Sequence, residues 1–299
     1  MNKKIAILGA SSHIAKGLIF NFNRQKKGVE LCLFARSSGK VRKFLKENNL
    51  KLNCRIGRFK GFSSGKYDVI INCVGLGTPL KVKKAGGEVF GLTEKFDNLI
   101  LRYLQRHPDT CYINFSSGAI YNVSVNDIKP EYYYGIAKLN QEAKHRSWPK
   151  LWIVDLRIFS YFSRFIELDS GYFLTELLEC LKAKKTFVTN NCDFTRDYLA
   201  PEDLFDLICL IIKRKYFNGA IDVYSARPVS KSKLLEYFVK NYSLKYMIKR
   251  KLKLICPTGV KVRYYSNSRK AASLGYQPKF SSLDTVAQET KYMLGEANG

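Results

Sequence analysis

Histidine is scarce in this sequence. Only His13, His107 and His145 occur in 299 residues, and none of the 8 cysteines forms a C-x-x-C pair. Zinc sites need such ligands at set spacings, so no metal site is expected. Cys32, Cys54, Cys73, Cys111, Cys180, Cys192, Cys209 and Cys256 fall mostly in apolar runs such as Leu31-Cys32-Leu33. That suits free thiols packed as small hydrophobes in a reducing compartment. Long apolar runs are missing too. No stretch approaches the roughly 18 residues of a membrane span, and Ile5–Leu8 is too short for a signal-peptide core. A soluble, cytoplasmic protein without a membrane partner is expected.

Acid is the third shortage. The chain has 25 acidic residues against 51 basic ones, a net charge of +26. Such an imbalance attracts anions, whether nucleic acid or small phosphorylated molecules. The bases are spread along the chain, with one acid-free stretch from Lys240 to Arg263. No helix-turn-helix, zinc-finger or RNA-recognition pattern accompanies them, so the expected partner is a small anionic substrate and not nucleic acid.

What is present is a core. Nearly half the residues, 46%, are hydrophobic. In the first 150 positions short apolar runs alternate with amphipathic ones. Strands are predicted at Lys4–Leu8, Glu30–Phe34, Leu50–Ile56, Val69–Val74 (with Gly75 and Gly77 following), Cys111–Phe115 and Leu151–Leu156. Helices are predicted at Ile14–Phe22, Val41–Glu47, Phe90–Arg106 and Tyr134–His145. Apolar strands alternating with helices imply a parallel sheet covered on both faces, the doubly wound α/β arrangement. The second half is less regular, with helices expected at Phe173–Ala183, Leu199–Lys213, Lys231–Asn241 and Ser282–Leu294.

The first strand runs into Gly9-Ala10-Ser11-Ser12-His13-Ile14-Ala15 and then a helix. Dinucleotide-binding turns use an early glycine and two later small residues, and present helix N–H groups to the pyrophosphate. Here only Gly9 is glycine; Ser12 and Ala15 hold the later places. At the end of the second strand an acid would bind the ribose of NAD, and an arginine would suit the 2′-phosphate of NADP. No acid stands there, but Arg36 and Ser37 do, which favours NADP.

Tyr134 and Lys138 are four apart and share one face of a helix. A nearby ammonium favours a phenolate, so Tyr134 is expected to have a lowered pKa and to exchange a proton with a substrate oxygen. Ser117, at the end of the fifth strand, can hold the same oxygen. Together with Ser116, Tyr121, Pro130 and Glu142, this set resembles the extended short-chain dehydrogenase/reductase family of nucleotide-sugar epimerases, dehydratases and ketoreductases. Three later segments extend the resemblance over nearly the whole chain: Leu156-Arg157-Ile158-Phe159, Arg196-Asp197-Tyr198 with Asp203, and Lys270-Ala271 before Leu274-Gly275-Tyr276-Gln277-Pro278.

The resemblance implies a Rossmann-type domain over residues 1–158. Residues 159–299 would form mainly a smaller substrate-binding region, with segments around 187–215 returning to the first domain. It implies Ser117, Tyr134 and Lys138 as the catalytic set. The cofactor, NADP or alternatively NAD, would be held by Gly9, Ser11, Ser12, His13 and Ile14, by Arg36 and Ser37, and by Cys73, Val74 and Gly75. Tyr134 and Lys138 would complete its site. Ser160 and Arg196 would meet a nucleotide-sugar substrate, Arg196 near its phosphates unless it pairs with Asp197 or Asp203. A homodimer is implied as well. Family dehydratases carry an acid pair where this chain has Gly118 and Ala119. The expected activity is therefore NADPH-dependent reduction of a nucleotide-linked 4-keto-deoxysugar for surface polysaccharide, with C4 epimerisation as the alternative.

Overall fold

The computed structural model describes residues 3–25, 28–76, 78–124, 126–214, 216–250 and 261–295. Gly77, Cys256 and the middle of the acid-free basic stretch lie outside the described residues. None of the seven described cysteines is joined in a disulfide. Among the described residues no helix is long and apolar enough to cross a membrane.

The first half of the chain alternates strand and helix. It runs β1 (Lys3–Leu8), α1 (His13–Gln25), β2 (Val29–Phe34), α2 (Ser38–Glu47), β3 (Cys54–Gly57), β4 (Val69–Asn72), α3 (Pro79–Ala85), α4 (Glu88–Arg106), β5 (Cys111–Ser117), α5 (Tyr133–Arg146) and β6 (Ile153–Ile158). The second half continues with β7 (Ser160–Tyr161), α6 (Phe173–Lys182), β8 (Phe187–Thr189), β9 (Thr195–Arg196), β10 (Tyr198–Leu199), α7 (Pro201–Lys213) and β11 (Gly219–Val223). It ends with β12 (Val229–Ser230), α8 (Lys231–Tyr242), β13 (Tyr246–Ile248), β14 (Arg263–Tyr264) and α9 (Ser282–Leu294).

Seven strands form one parallel sheet in the order β11-β6-β5-β4-β1-β2-β3. Alternation along β1 explains why it needs cover on two sides. Ile5 and Ile7 pack with Leu18 and Phe22 of α1 and with Leu204 and Ile208 of α7. Ala6 and Leu8 pack on the opposite face with Ile100 and Leu104 of α4. Each such Ile or Leu contributes about 1.5–3 kcal/mol by leaving water. The doubly wound, Rossmann-type sheet expected from the sequence is therefore the architecture observed.

A third core joins Phe162, Leu177 and Leu178 of α6, Phe187 of β8, Leu234 and Phe238 of α8, and Val286 of α9. Arg164 ties it together, with a bidentate ion pair to the buried Glu289 of α9 at 2.6 and 3.0 Å. Element limits differ from the sequence reading where the backbone is claimed by a turn. Leu50 donates to the Leu45 carbonyl at the end of α2, so β3 starts at Cys54 and not at Leu50. Leu151 donates to Trp148 in a turn, so β6 starts at Ile153. β11 was not expected at all: its five residues open with a glycine that reads as loop punctuation.

Candidate active site

One cleft of about 1410 Å³ opens where β1, β4, β5 and β6 end, between the sheet and the third core. In open parallel sheets this edge is where ligands bind. Its floor begins at Gly9, whose φ of +78° lies in the left-handed region. A Cβ there would sit 2.8 Å from the backbone carbon and oxygen of Cys73 and 2.9 Å from the Val74 nitrogen. Glycine is thus required both for the turn and for the approach of β1 to the end of β4. Ser12, in the usual place of a glycine, accepts the Ala15 N–H at 3.4 Å and so caps α1. His13 stacks edge-on against Tyr161 at 4.8 Å. Burial, and then Lys16, push its pKa down to about 3, so the ring is neutral. Its Nε2 is buried without a hydrogen-bond partner among the described residues. The N-terminus of α1, at the same place, presents free N–H groups that fit a pyrophosphate oxygen. Ser11, Ile14, Cys73, Val74 and Gly75 line the same part of the wall.

Beyond β2 the cleft wall turns basic. Arg36 is exposed there, and Lys16 of α1 and Lys40 and Lys43 of α2 join it. One acid lines the same wall, Glu47, and it pairs with Lys43 at 3.6 Å. Ser37 is not part of this wall; its Oγ accepts the Lys40 N–H at 3.4 Å as the cap of α2. The sequence reading found Arg36 but missed the three lysines. Their signal was available, since Lys40 and Lys43 lie three apart on the helix that follows.

Ser117, Tyr134 and Lys138, the residues expected to be catalytic, all line this cleft. Ser117 and Tyr134 are hydrogen-bonded, and Ser117 Oγ also accepts the Ala119 N–H at 3.2 Å. Lys138 Nζ donates to the Phe115 carbonyl at 2.8 Å and to Gln141 at 3.3 Å. One expectation is corrected here. Burial pushes the Tyr134 phenol above its ordinary value, and only the Ser117 hydrogen bond works against that. The ammonium of Lys138 is directed to Phe115 and Gln141, so it does not offset the burial.

At the far end of the cleft lie Ser160 and Arg196. The Arg196 guanidinium sits between the rings of Phe194 and Tyr264, 4.8 and 5.4 Å from their centroids, with a buried Nη1 that has no hydrogen-bond partner among the described residues. It does not pair with the acids that follow it. Asp197 accepts the Ser225 N–H at 2.9 Å, and Asp203 accepts two N–H groups, of Lys279 and Phe280, at 2.9 and 3.1 Å. Tyr264 was missed. Its hydroxyl lies 3.2 Å from Ser117 Oγ although 147 residues separate them, and nothing local announces that meeting.

The family model described as the NAD-dependent epimerase/dehydratase family matches residues 5–254. The chain belongs to that family. No curated protein matches the sequence. Solved structures share the family's fold at low identity. UDP-N-acetylglucosamine 4-epimerase from Methanobrevibacter ruminantium, in complex with UDP-N-acetylmuramic acid, is 14% identical with a TM-score of 0.80, covering 99% of both chains. A mutant UDP-glucuronic acid 4-epimerase from Bacillus cereus, holding a fluorinated substrate analogue and NAD, is 17% identical with a TM-score of 0.81, covering 98% of this chain and 99% of that one. The dTDP-glucose 4,6-dehydratase from Bacillus anthracis, in complex with NAD, is 12% identical with a TM-score of 0.74, covering 99% and 97%.

Proposed function

We propose that this family member reduces the C4 ketone of a nucleotide-linked deoxysugar with NADPH, serving surface-polysaccharide synthesis in the cytoplasm as a homodimer. The observation that carries the reading is Arg36 at the end of β2, where no acid stands, with Lys16 and Lys40 on the same wall and Lys43 already paired with Glu47. Such a cluster suits a ribose 2′-phosphate. When bound, the nicotinamide supplies the hydride. Ser117 holds the ketone oxygen and Tyr134 gives it a proton, turning it into the alcohol. A phenol kept neutral by burial is ready to act as that acid. Lys138 holds the nicotinamide ribose. Ser160 and Arg196 meet the substrate, the unpartnered guanidinium suiting its diphosphate.

Dehydration fits poorly. A Cβ at Gly118 would meet the Phe159 ring at 2.4 Å, and Ala119 is buried, so neither position has room for an acid. The second reading is C4 epimerisation, favoured by the 4-epimerases among the structural relatives.

Purified protein mixed with NADPH and nucleotide-4-ketosugars should oxidise the cofactor in step with product. Cofactor that co-purifies and interconverts unoxidised sugars without net consumption would favour the epimerase. Tyr134→Phe should abolish turnover and keep cofactor binding. Arg36→Ala combined with Lys40→Ala should weaken NADPH roughly 10- to 100-fold, two charge-assisted contacts being lost, and leave NADH unchanged. Equal loss for both cofactors would refute the NADP reading. Light scattering coupled to size exclusion checks the dimer.

A further inference from the structure

Behind Lys138, on the face covered by α4 and α5, lies a buried run of polar side chains that the reaction above does not use. Gln141 Oε1 accepts from Lys138 at 3.3 Å. Gln141 Nε2 donates to Asn114 Oδ1 at 3.2 Å, and Asn114 Nδ2 donates to Asp155 Oδ1 at 2.7 Å. Asp155 then meets His145 Nδ1 at 2.8 Å, and His145 Nε2 meets Asp97 at 2.7 Å. Lys144 and Arg146 hold the outer oxygens of Asp97 and Asp155 at 2.6 and 2.7 Å. Tyr112 donates to Asp97 at 3.1 Å and accepts from Asn72 at 3.1 Å. Asn72 in turn accepts the N–H of Val74, in the cofactor wall, at 3.1 Å.

The direction of this chain is forced. A carboxylate only accepts, so Asn114 must turn its NH₂ to Asp155 and its oxygen to Gln141. Gln141 must then turn its own NH₂ to Asn114, and its oxygen is left for the ammonium. Asp155, through Asn114, and Asp97, to which Gln141 is also hydrogen-bonded, thereby dictate which atom Lys138 meets. An ammonium has three N–H donors. Phe115 and Gln141 take two of them, and the third remains for the cleft that Lys138 lines.

We propose that the Asp155–Asn114–Gln141 chain, locked in place by His145 between Asp97 and Asp155, is the positioning device of Lys138. The inference rests on the role given to Lys138 in the proposed reaction. The charged groups around the lysine are Asp97 on α4, Asp155 on β6 and Glu142 on α5. They oppose the burial that pulls its ammonium below the usual lysine value. Glu142 is itself tied to Arg157 at 2.6 Å and to Ser116 at 2.5 Å.

The test uses Gln141→Leu, which removes the last acceptor, Gln141→Glu, which restores one, and Asp155→Asn, which keeps the shape, removes the carboxylate and frees Asn114 to turn. Ionisation of Lys138 is read in cofactor-free protein by nitrogen-15 NMR of labelled lysine, assigned with Lys138→Met. NADPH binding is read by fluorescence across pH. Lys138 should titrate at lower pH in Gln141→Leu and Asp155→Asn, with NADPH roughly tenfold weaker in each. Gln141→Glu should recover both properties. Unchanged Lys138 titration in Gln141→Leu and Asp155→Asn overturns the proposal. A moved titration in a protein that binds no nicotinamide dinucleotide at any pH upholds the chain and overturns the cofactor reading instead.

Discussion

Gly9→Ala is the sharpest test of how β1 meets β4. The new methyl would lie 2.8 Å from the Cys73 backbone and 2.9 Å from the Val74 nitrogen, against an ordinary contact of about 3.5 Å. The obstacle is backbone, so no side chain can swing aside. The turn after β4 must open by about 0.7 Å, which as overpacking costs about 1–3 kcal/mol. The left-handed φ of +78° adds about 1–2 kcal/mol for a residue with a Cβ. Together these give about 2–5 kcal/mol, a fall in Tm of roughly 3–8 °C for a chain of this size. The displaced turn carries Cys73, Val74 and Gly75, so affinity for the nicotinamide cofactor should fall as well. Gly61→Ala is the control, because nothing lies within 4 Å of its added Cβ and the residue lies outside the cleft. Differential scanning fluorimetry with and without NADPH reads both effects. A Gly9→Ala protein that melts within about 2 °C of wild type, and binds cofactor unchanged, would refute the described approach of the two strands.

Two further outcomes follow from buried charge. Glu289→Ala strands the Arg164 guanidinium, and should cost about 3–5 kcal/mol in urea unfolding; Glu289→Gln, which keeps an acceptor, should cost less. His145 gives a pH dependence. Burial works to lower its pKa, but Asp155 and Asp97 outweigh that and raise it to about 9. A raised histidine stabilises fully below its unfolded value of about 6.5, and the contribution is lost as pH rises through the folded value. Stability measured from pH 6 to 10 should therefore decline from about pH 6.5 to about pH 9 and level off above that. His145→Gln should show a shallower decline, and an equally steep one would remove His145 as its cause.

The sheet was legible because a parallel strand buried on both faces leaves an unmistakable apolar run, as in Ile5–Leu8 and Cys111–Phe115. The meeting of Ser117, Tyr134 and Lys138 in one cleft was legible because helix spacing and chain order placed them together. β11 escaped because five residues opening with glycine carry too little pattern. The ionisation of Tyr134 was misjudged for a different reason. Spacing puts Lys138 on the same helix face but does not say where its ammonium points, and Phe115 and Gln141 decide that. The polar chain behind Lys138 was invisible because Asp97, Asn114, Gln141, His145 and Asp155 come from four elements, and a polar residue in isolation reads as surface.

Tyr264 gives the cleft an unusual economy of contact. Its hydroxyl occupies Ser117 while its ring backs Arg196. A ketone oxygen that takes the Ser117 hydroxyl must compete with this phenol, and any shift of the phenol is felt by the guanidinium stacked on its ring. In the proposed reaction, recognition of a ligand's two ends would therefore be wired through a single side chain. A truncated ligand that lacks the phosphate end should lose alignment at Ser117 as well as grip at Arg196.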